Sequence, residues 1–150
     1  MQSEVTAAVT LWASQSPRQG MIALLELVAI IDDDESVRAT TDLLVRSLGH
    51  IVHTFASAEE FLRSKRLEHF SCVIADVQMP GMSGVELQDH LRAQGYRVPF
   101  IFFTAFPDEK IRARALAAGA ICYLTKPFDG DSLIQCLRTA TKGHDGGAGS

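Results

Sequence analysis

Four acids stand in a row, Asp32, Asp33, Asp34 and Glu35, in the stretch "IIDDDESVR" directly after the most apolar segment of the chain. Like charges about 4 Å apart repel by roughly 4 kcal/mol at an effective dielectric near 20. A fold does not gather them for its own stability, so a cationic partner is expected there. Three more reactive side chains follow apolar runs: Asp76 in "CVIADVQMPGMSG", Thr104 in "FIFFTA" and Lys126 in "YLTKPF". Hard carboxylate oxygens call for a hard divalent cation, and incomplete protein ligation with room for water and phosphate favours Mg2+ over Ca2+. A metal, a carboxylate, a hydroxyl and a lysine around one point make a phosphoryl-transfer site, where positioning and charge neutralisation carry the chemistry. The chain has no P-loop, no Gly-x-Gly-x-x-Gly and no EF-hand spacing, so a nucleotide is not the expected guest.

Whether these groups meet depends on the elements that carry them. Leu27–Ile31, "CVIA" (72–75) and "FIFF" (100–103) are wholly apolar, as strands buried on both faces are. "IVHTF" (51–55) and "ICYLT" (121–125) mix in His53, Thr54, Tyr123 and Thr125 and suit sheet edges. Between them lie helical patterns. Val37, Leu44, Val45 and Leu48 mark one that Gly49 stops; Ser57 opens a short second; Leu87 and Leu91 mark a third. A fourth runs from an Asp108 cap to Gly119, and Leu133, Cys136, Leu137 and Ala140 stripe a fifth. Five strand–helix units predict an α/β fold, a doubly wound parallel sheet. The order 2-1-3-4-5 puts the apolar strands inside. It also sets strands one and three side by side at the switch point, where ligands bind beyond the carboxyl ends. Asp32, Asp33 and Asp76 then converge over one crevice.

The totals bound the alternatives. One domain with a proper core fits 150 residues, of which 47% are hydrophobic and 21% charged. A net charge of −4 argues against direct nucleic-acid binding. The run Met21–Ile31, broken by Glu26, is too short to span a bilayer, so no membrane contact is expected. Cys72, Cys122 and Cys136 show neither metal spacing nor a disulfide framework and are expected as thiols in a reducing cytoplasm. Residues 1–23 form an N-terminal extension, either a loose leader or one short helix with Val5, Ala8, Val9 and Trp12 on a face. Residues 143–150, "GHDGGAGS", are expected to be a flexible tail or a truncated linker after a domain spanning 24–142.

The motifs "VAIIDDDESVR", "IADVQMPGMSG", "IFFTA" and "YLTKPF", in this order, resemble the receiver domain of a two-component response regulator, from about Leu24 to Thr141. The resemblance implies a flavodoxin-like (βα)5 fold and a cytoplasmic phosphoacceptor switch that is not a turnover enzyme. Carried over by position, Asp76 accepts the phosphoryl group from a sensor histidine kinase or phosphotransfer protein. Asp33, Asp76 and the backbone carbonyl of Gln78 would ligate Mg2+, with Asp32 acting through a bound water. Lys126 would pair with the phosphoryl group, Thr104 would hydrogen-bond it, and Tyr123 would be the aromatic switch. Lys126–Pro127 is expected to be cis. The surface of the fourth helix, fifth strand and fifth helix would carry the signal, with a homodimer as one form of it. Gln78 and Phe106 would border the path of hydrolytic water, Phe106 excluding it or else packing on its own loop.

Single residues have plainer readings. Asp34 and Glu35 suit a helix first turn; a lone lysine is usually a surface residue, and Lys110, Arg112 and Arg114 usually make a solvated face. A rival pattern is the haloacid-dehalogenase-type phosphatase, with Asp32 as nucleophile and Asp34, Ser36, Thr104 and Lys126 in support. It needs a later strand-end acid, offers only Asp129 and Asp131 in a helix start, and leaves "DVQMPGMSG" without a role.

Overall fold

The computed structural model describes residues 27–64 and 67–149, with side chains as far as Thr141. The expectations for residues 1–23 lie outside the described residues. Five strands alternate with helices: β1 (Leu27–Ile31), α1 (Glu35–Ser47), β2 (Ile51–Phe55), α2 (Ala58–Leu62), β3 (Cys72–Asp76), α3 (Gly84–Ala93), β4 (Phe100–Thr104), α4 (Glu109–Ala117), β5 (Cys122–Thr125) and α5 (Gly130–Gly149). A 3-10 turn at Leu67–His69 precedes β3.

All strands run parallel in the order β2-β1-β3-β4-β5. The sequence already separates centre from edge. Every residue of β3 and β4 is buried, whereas β2 and β5 alternate or stay half-exposed. Period-two alternation sends Ala29, Ile31, Val73, Ala75, Phe100 and Phe102 to one face, under α2, α3 and α4. Val28, Ile30, Ile74, Ile101 and Phe103 go to the other, under α1 and α5. Burying a side chain such as Ile74 or Phe102 completely contributes about 1.5–3 kcal/mol, so the sheet is the stable platform beneath the strand ends.

Helix starts are fixed by side-chain caps. Asp34, Ser57 and Asp108 accept first-turn amides, and Ser83 with Glu86 forms a reciprocal capping box. At α5, Asp129 accepts the Ser132 N–H at 2.7 Å, so this late acid belongs to a helix start. The helix itself continues to Gly149, past Gly143 where a flexible tail is expected. Glycine weakens a helix without forbidding its bonds, and no proline interrupts this stretch.

The cysteine expectation is corrected. Cys122 and Cys136 form a disulfide, 14 residues apart with Cα atoms 6.1 Å from each other, while Cys72 is buried and outside any disulfide. Chain spacing hides the pair because its proximity is made by α5 folding back over β5. Reducing this bond in the oxidised protein is expected to lower the unfolding free energy by about 3 kcal/mol, the loop-closure value for a loop of this size. Urea unfolding with and without reductant measures it; equal midpoints would show that the link carries no stability.

Candidate functional site: an acidic crevice at the sheet switch point

Register alone brings the acids together. Ile31 pairs with Ala75 across β1 and β3, so Asp32 and Asp76 are the next residues of neighbouring strands. Asp76 in turn lies opposite Phe103, and Thr104 opposite Thr125, one residue before Lys126. Asp32, Asp33 and Asp76 each offer a carboxylate oxygen, all within 4.8 Å of one another, a grouping able to hold a metal ion. Asp32 and Asp76 are buried and Asp33 is exposed, so the cluster opens to solvent on one side.

Lys126 is the cation that the row of acids calls for. Its Nζ donates to Asp76 Oδ2 at 2.9 Å and to Asp32 Oδ2 at 3.3 Å. The Lys126–Pro127 peptide is cis, as expected, and the Lys126 N–H donates to the Thr104 carbonyl at 2.7 Å, continuing the β4–β5 ladder. The ammonium also lies 5.0 Å from the centre of the Phe103 ring. Burial pulls the Lys126 pKa down, but the bond to Asp76 and the charges of Asp32 and Asp76 outweigh it, so the net shift is upward. Asp32 is shifted up too: burial dominates, and the Asp76 charge adds to it against the Asp34 N–H and Lys126. The other Asp32 oxygen accepts the Asp34 N–H at 2.8 Å, and Arg38 donates to the Asp32 carbonyl at 2.6 Å, tying the turn to α1.

Around this centre the remaining residues fall as follows. The Gln78 N–H donates to Asp76 Oδ1 at 3.1 Å, which curls the chain so that the Gln78 backbone lies beside the Asp76 carboxylate. The Thr104 hydroxyl is fully buried and accepts the Phe106 N–H at 3.0 Å, leaving its own proton to donate. Tyr123 pairs with Phe102 in register and packs on the sheet face that holds α4. Its hydroxyl is shielded from water beside the Asp108 backbone, and burial pushes its pKa up. Phe106 is 70% exposed on the loop after β4. Asp34 is spent as a helix cap and is no part of the cluster.

Two features were not legible in the sequence. One is an apolar groove of about 660 Å³ between α1 and the turn after β5, lined by Val37, Thr40, Leu44, Pro127 and Phe128 and reaching Lys126. The other is a bond from Glu59 on α2 to the Met82 N–H in the loop after β3. Neither has a local signal, since each joins segments far apart in the chain.

A switch-point crevice of carboxylates, a buried hydroxyl and a shared ammonium on a 2-1-3-4-5 sheet defines a phosphoryl-handling α/β domain. The family described as response regulator receiver domain matches residues 28–138, and the chain belongs to it. It is 38% identical over 131 residues to the response regulator protein TmoT of Ectopseudomonas mendocina, covering 87% of this chain and 60% of that protein. The low-resolution structure of response regulator StyR superposes with a TM-score of 0.73 at 41% identity, over 78% of this chain and 59% of StyR. The crystal structure of FixJ-N gives 0.70 at 31% identity, over 78% of this chain and 94% of that one. The phosphatase alternative finds no support, because its second acid is a helix cap and the family matched is a different one.

Removing Lys126 leaves two carboxylates facing each other in a buried site. Lys126→Ala is expected to destabilise the metal-free protein by about 3 kcal/mol, at the low end for breaking a buried pair. Denaturant unfolding in chelator checks it, and an unchanged midpoint would show that the ammonium is not needed to hold the acids.

Proposed function

We propose that this receiver domain takes a phosphoryl group from a histidine kinase or phosphotransfer protein onto Asp76, with Mg2+ as cofactor. The observation that carries the reading is the single Lys126 ammonium bridging Asp32 and Asp76, with Asp33 at metal-sharing distance. The donor set fits the ion. It is all oxygen, partly open to solvent, and too small to replace a whole hydration shell. Asp33, Asp76 and the Gln78 carbonyl would hold Mg2+, and Asp32 would act through a bound water. When bound, the ion supplies positive charge that offsets the charge on the transferring phosphoryl oxygens.

The residues do the rest. An Asp76 carboxylate oxygen attacks phosphorus in line. The new O–P bond forms as the P–N bond of a phosphohistidine, or the P–O bond of acetyl phosphate, breaks, and the leaving group departs with the electron pair. Lys126, already on Asp76 Oδ2, transfers its hydrogen bond to a phosphoryl oxygen. Thr104 donates its unused proton to another. The step is self-catalysed transfer followed by slow hydrolysis, so the domain is spent once per phosphorylation and does not turn over as an enzyme does.

The groove between α1 and the Lys126–Gly130 turn supports a docking role for the kinase, because it is apolar and ends at Lys126. The output surface is α4, β5 and α5, which Tyr123 joins to Thr104 through one sheet face; a homodimer through this surface is the proposed phosphorylated form. Since the chain spans 60% of TmoT, activities of the whole relative are not transferred. No described helix is long and apolar enough to cross a membrane, which is consistent with a cytoplasmic site of action.

Intact mass spectrometry after incubation with acetyl phosphate and Mg2+ tests the acceptor. Wild type is expected to gain one phosphoryl group and Asp76→Asn none; equal labelling of the variant, or label on Asp32, overturns the assignment. Thr104→Ala is expected to accept phosphate but to lose most of the amide shift changes across α4, β5 and α5. Wild-type shift changes in that phosphorylated variant would break the proposed link from Thr104 to Tyr123.

A further inference from the structure

Two adjacent glutamates open α2, and each binds a backbone amide. Glu60 completes its own helix start, accepting the Ala56 N–H at 3.1 Å. Glu59 reaches across instead. Its Oε2 accepts the N–H of Met82, 23 residues away, at 2.9 Å. The carboxylate lies flat against Gly81, where a Cβ would stand 2.6 Å from Oε2. Gly81 also holds a φ of +79°, which a side chain would strain. A bare, left-handed residue is therefore what lets the acid approach the loop.

The loop between β3 and α3 is fastened at both feet. The Gly84 N–H donates to the Val77 carbonyl at 3.0 Å, and a Cβ on Gly84 would run into the backbone oxygen of Asp76. At the other foot the Gln78 N–H bonds Asp76 itself. At the crown, among the described hydrogen bonds, Glu59 is the side chain that reaches the loop from outside the β3–α3 segment. Glu59 is shifted toward the charged form, the Met82 N–H being the largest cause.

We propose that Glu59 is a positioning residue for phosphotransfer: by latching Met82 it holds the crown of the loop and so fixes the Gln78 backbone, whose carbonyl would serve as a metal ligand. The inference rests on the reading of Gln78 as a Mg2+ ligand and Asp76 as acceptor. It separates reach from charge. Gln keeps a carbonyl oxygen at the same distance, whereas Asp keeps the charge but falls one methylene short.

The test titrates Mg2+ into the full chain and its Glu59→Ala, Glu59→Asp and Glu59→Gln variants, read by amide shifts without a phosphodonor and by the rate of labelling with acetyl phosphate. Loss of an outer partner to a metal site commonly costs 10–100-fold in affinity, so Ala and Asp are expected to raise the Mg2+ half-saturation about tenfold. Their labelling rate at saturating Mg2+ is expected to stay within about twofold of wild type, and Gln to match wild type in both readouts. Unchanged half-saturation in Ala and Asp overturns the latch. So does impairment of Gln with Asp at wild type, which would mean a charge effect. A lost saturating rate with unchanged half-saturation overturns it as well. Because the shift titration needs no phosphoryl transfer, a wild type that accepts no phosphate would overturn the reading of Asp76 while this comparison still decides Glu59.

Discussion

Two carboxylates buried side by side, with one ammonium between them, set the terms for the rest of the molecule. Asp32 and Asp76 are forced together by the β1–β3 register, and burial makes their charges costly. Lys126 relieves both, but it comes from the far edge of the sheet, after β5. The site therefore exists only if β1, β3, β4 and β5 are all in register, because each strand sets where the next one ends. The apolar faces that hold the strands together are thus also what aligns the acids with the amine.

The loops above the sheet follow from the same demand. A carboxylate kept charged in a buried place needs donors, and the backbone supplies them. The Asp34 amide serves Asp32, and the Gln78 amide serves Asp76. Each such bond curls the chain just beyond its strand, which is why α1 and the β3–α3 loop leave the sheet where they do. Gly84 permits the second of these curls, since its missing side chain is the space that the Asp76 backbone oxygen occupies. The chemistry and the local backbone shape are one solution to one problem.

Much of this is written in the chain. Apolar runs that end in Asp32, Asp76, Thr104 and Lys126 show which residues stand at the sheet edge. The polar residues of β2 and β5 show which strands are outermost. What the chain does not display is contact across elements. Glu59 and Met82, Cys122 and Cys136, and the groove from Val37 to Phe128 are each made by packing of segments with no shared periodicity. Phe106 shows the limit from another side, for a large apolar residue suggested cover, and the folded loop leaves it on the surface. Element type is a local property, whereas the orientation of a loop side chain depends on everything that surrounds it.

Charge also explains why a signal should leave the crevice through β4 and β5. Three carboxylates face one ammonium in the resting cluster. On the proposed reading, phosphorylation turns the Asp76 carboxylate into a neutral acyl linkage bearing a phosphoryl group of about −1.5 to −2. The centre of negative charge then moves outward from the strand end. Lys126 must follow it, and its backbone N–H is bonded to the Thr104 carbonyl, so the ends of β4 and β5 feel the same pull. Thr104 has an unused proton to donate, and turning toward the new charge would come at the expense of the bond it accepts from the Phe106 amide. Thr104 stands two residues beyond Phe102, on the same face by period-two alternation, and Tyr123 pairs with Phe102, so a turn of Thr104 would be felt where the Tyr123 ring packs.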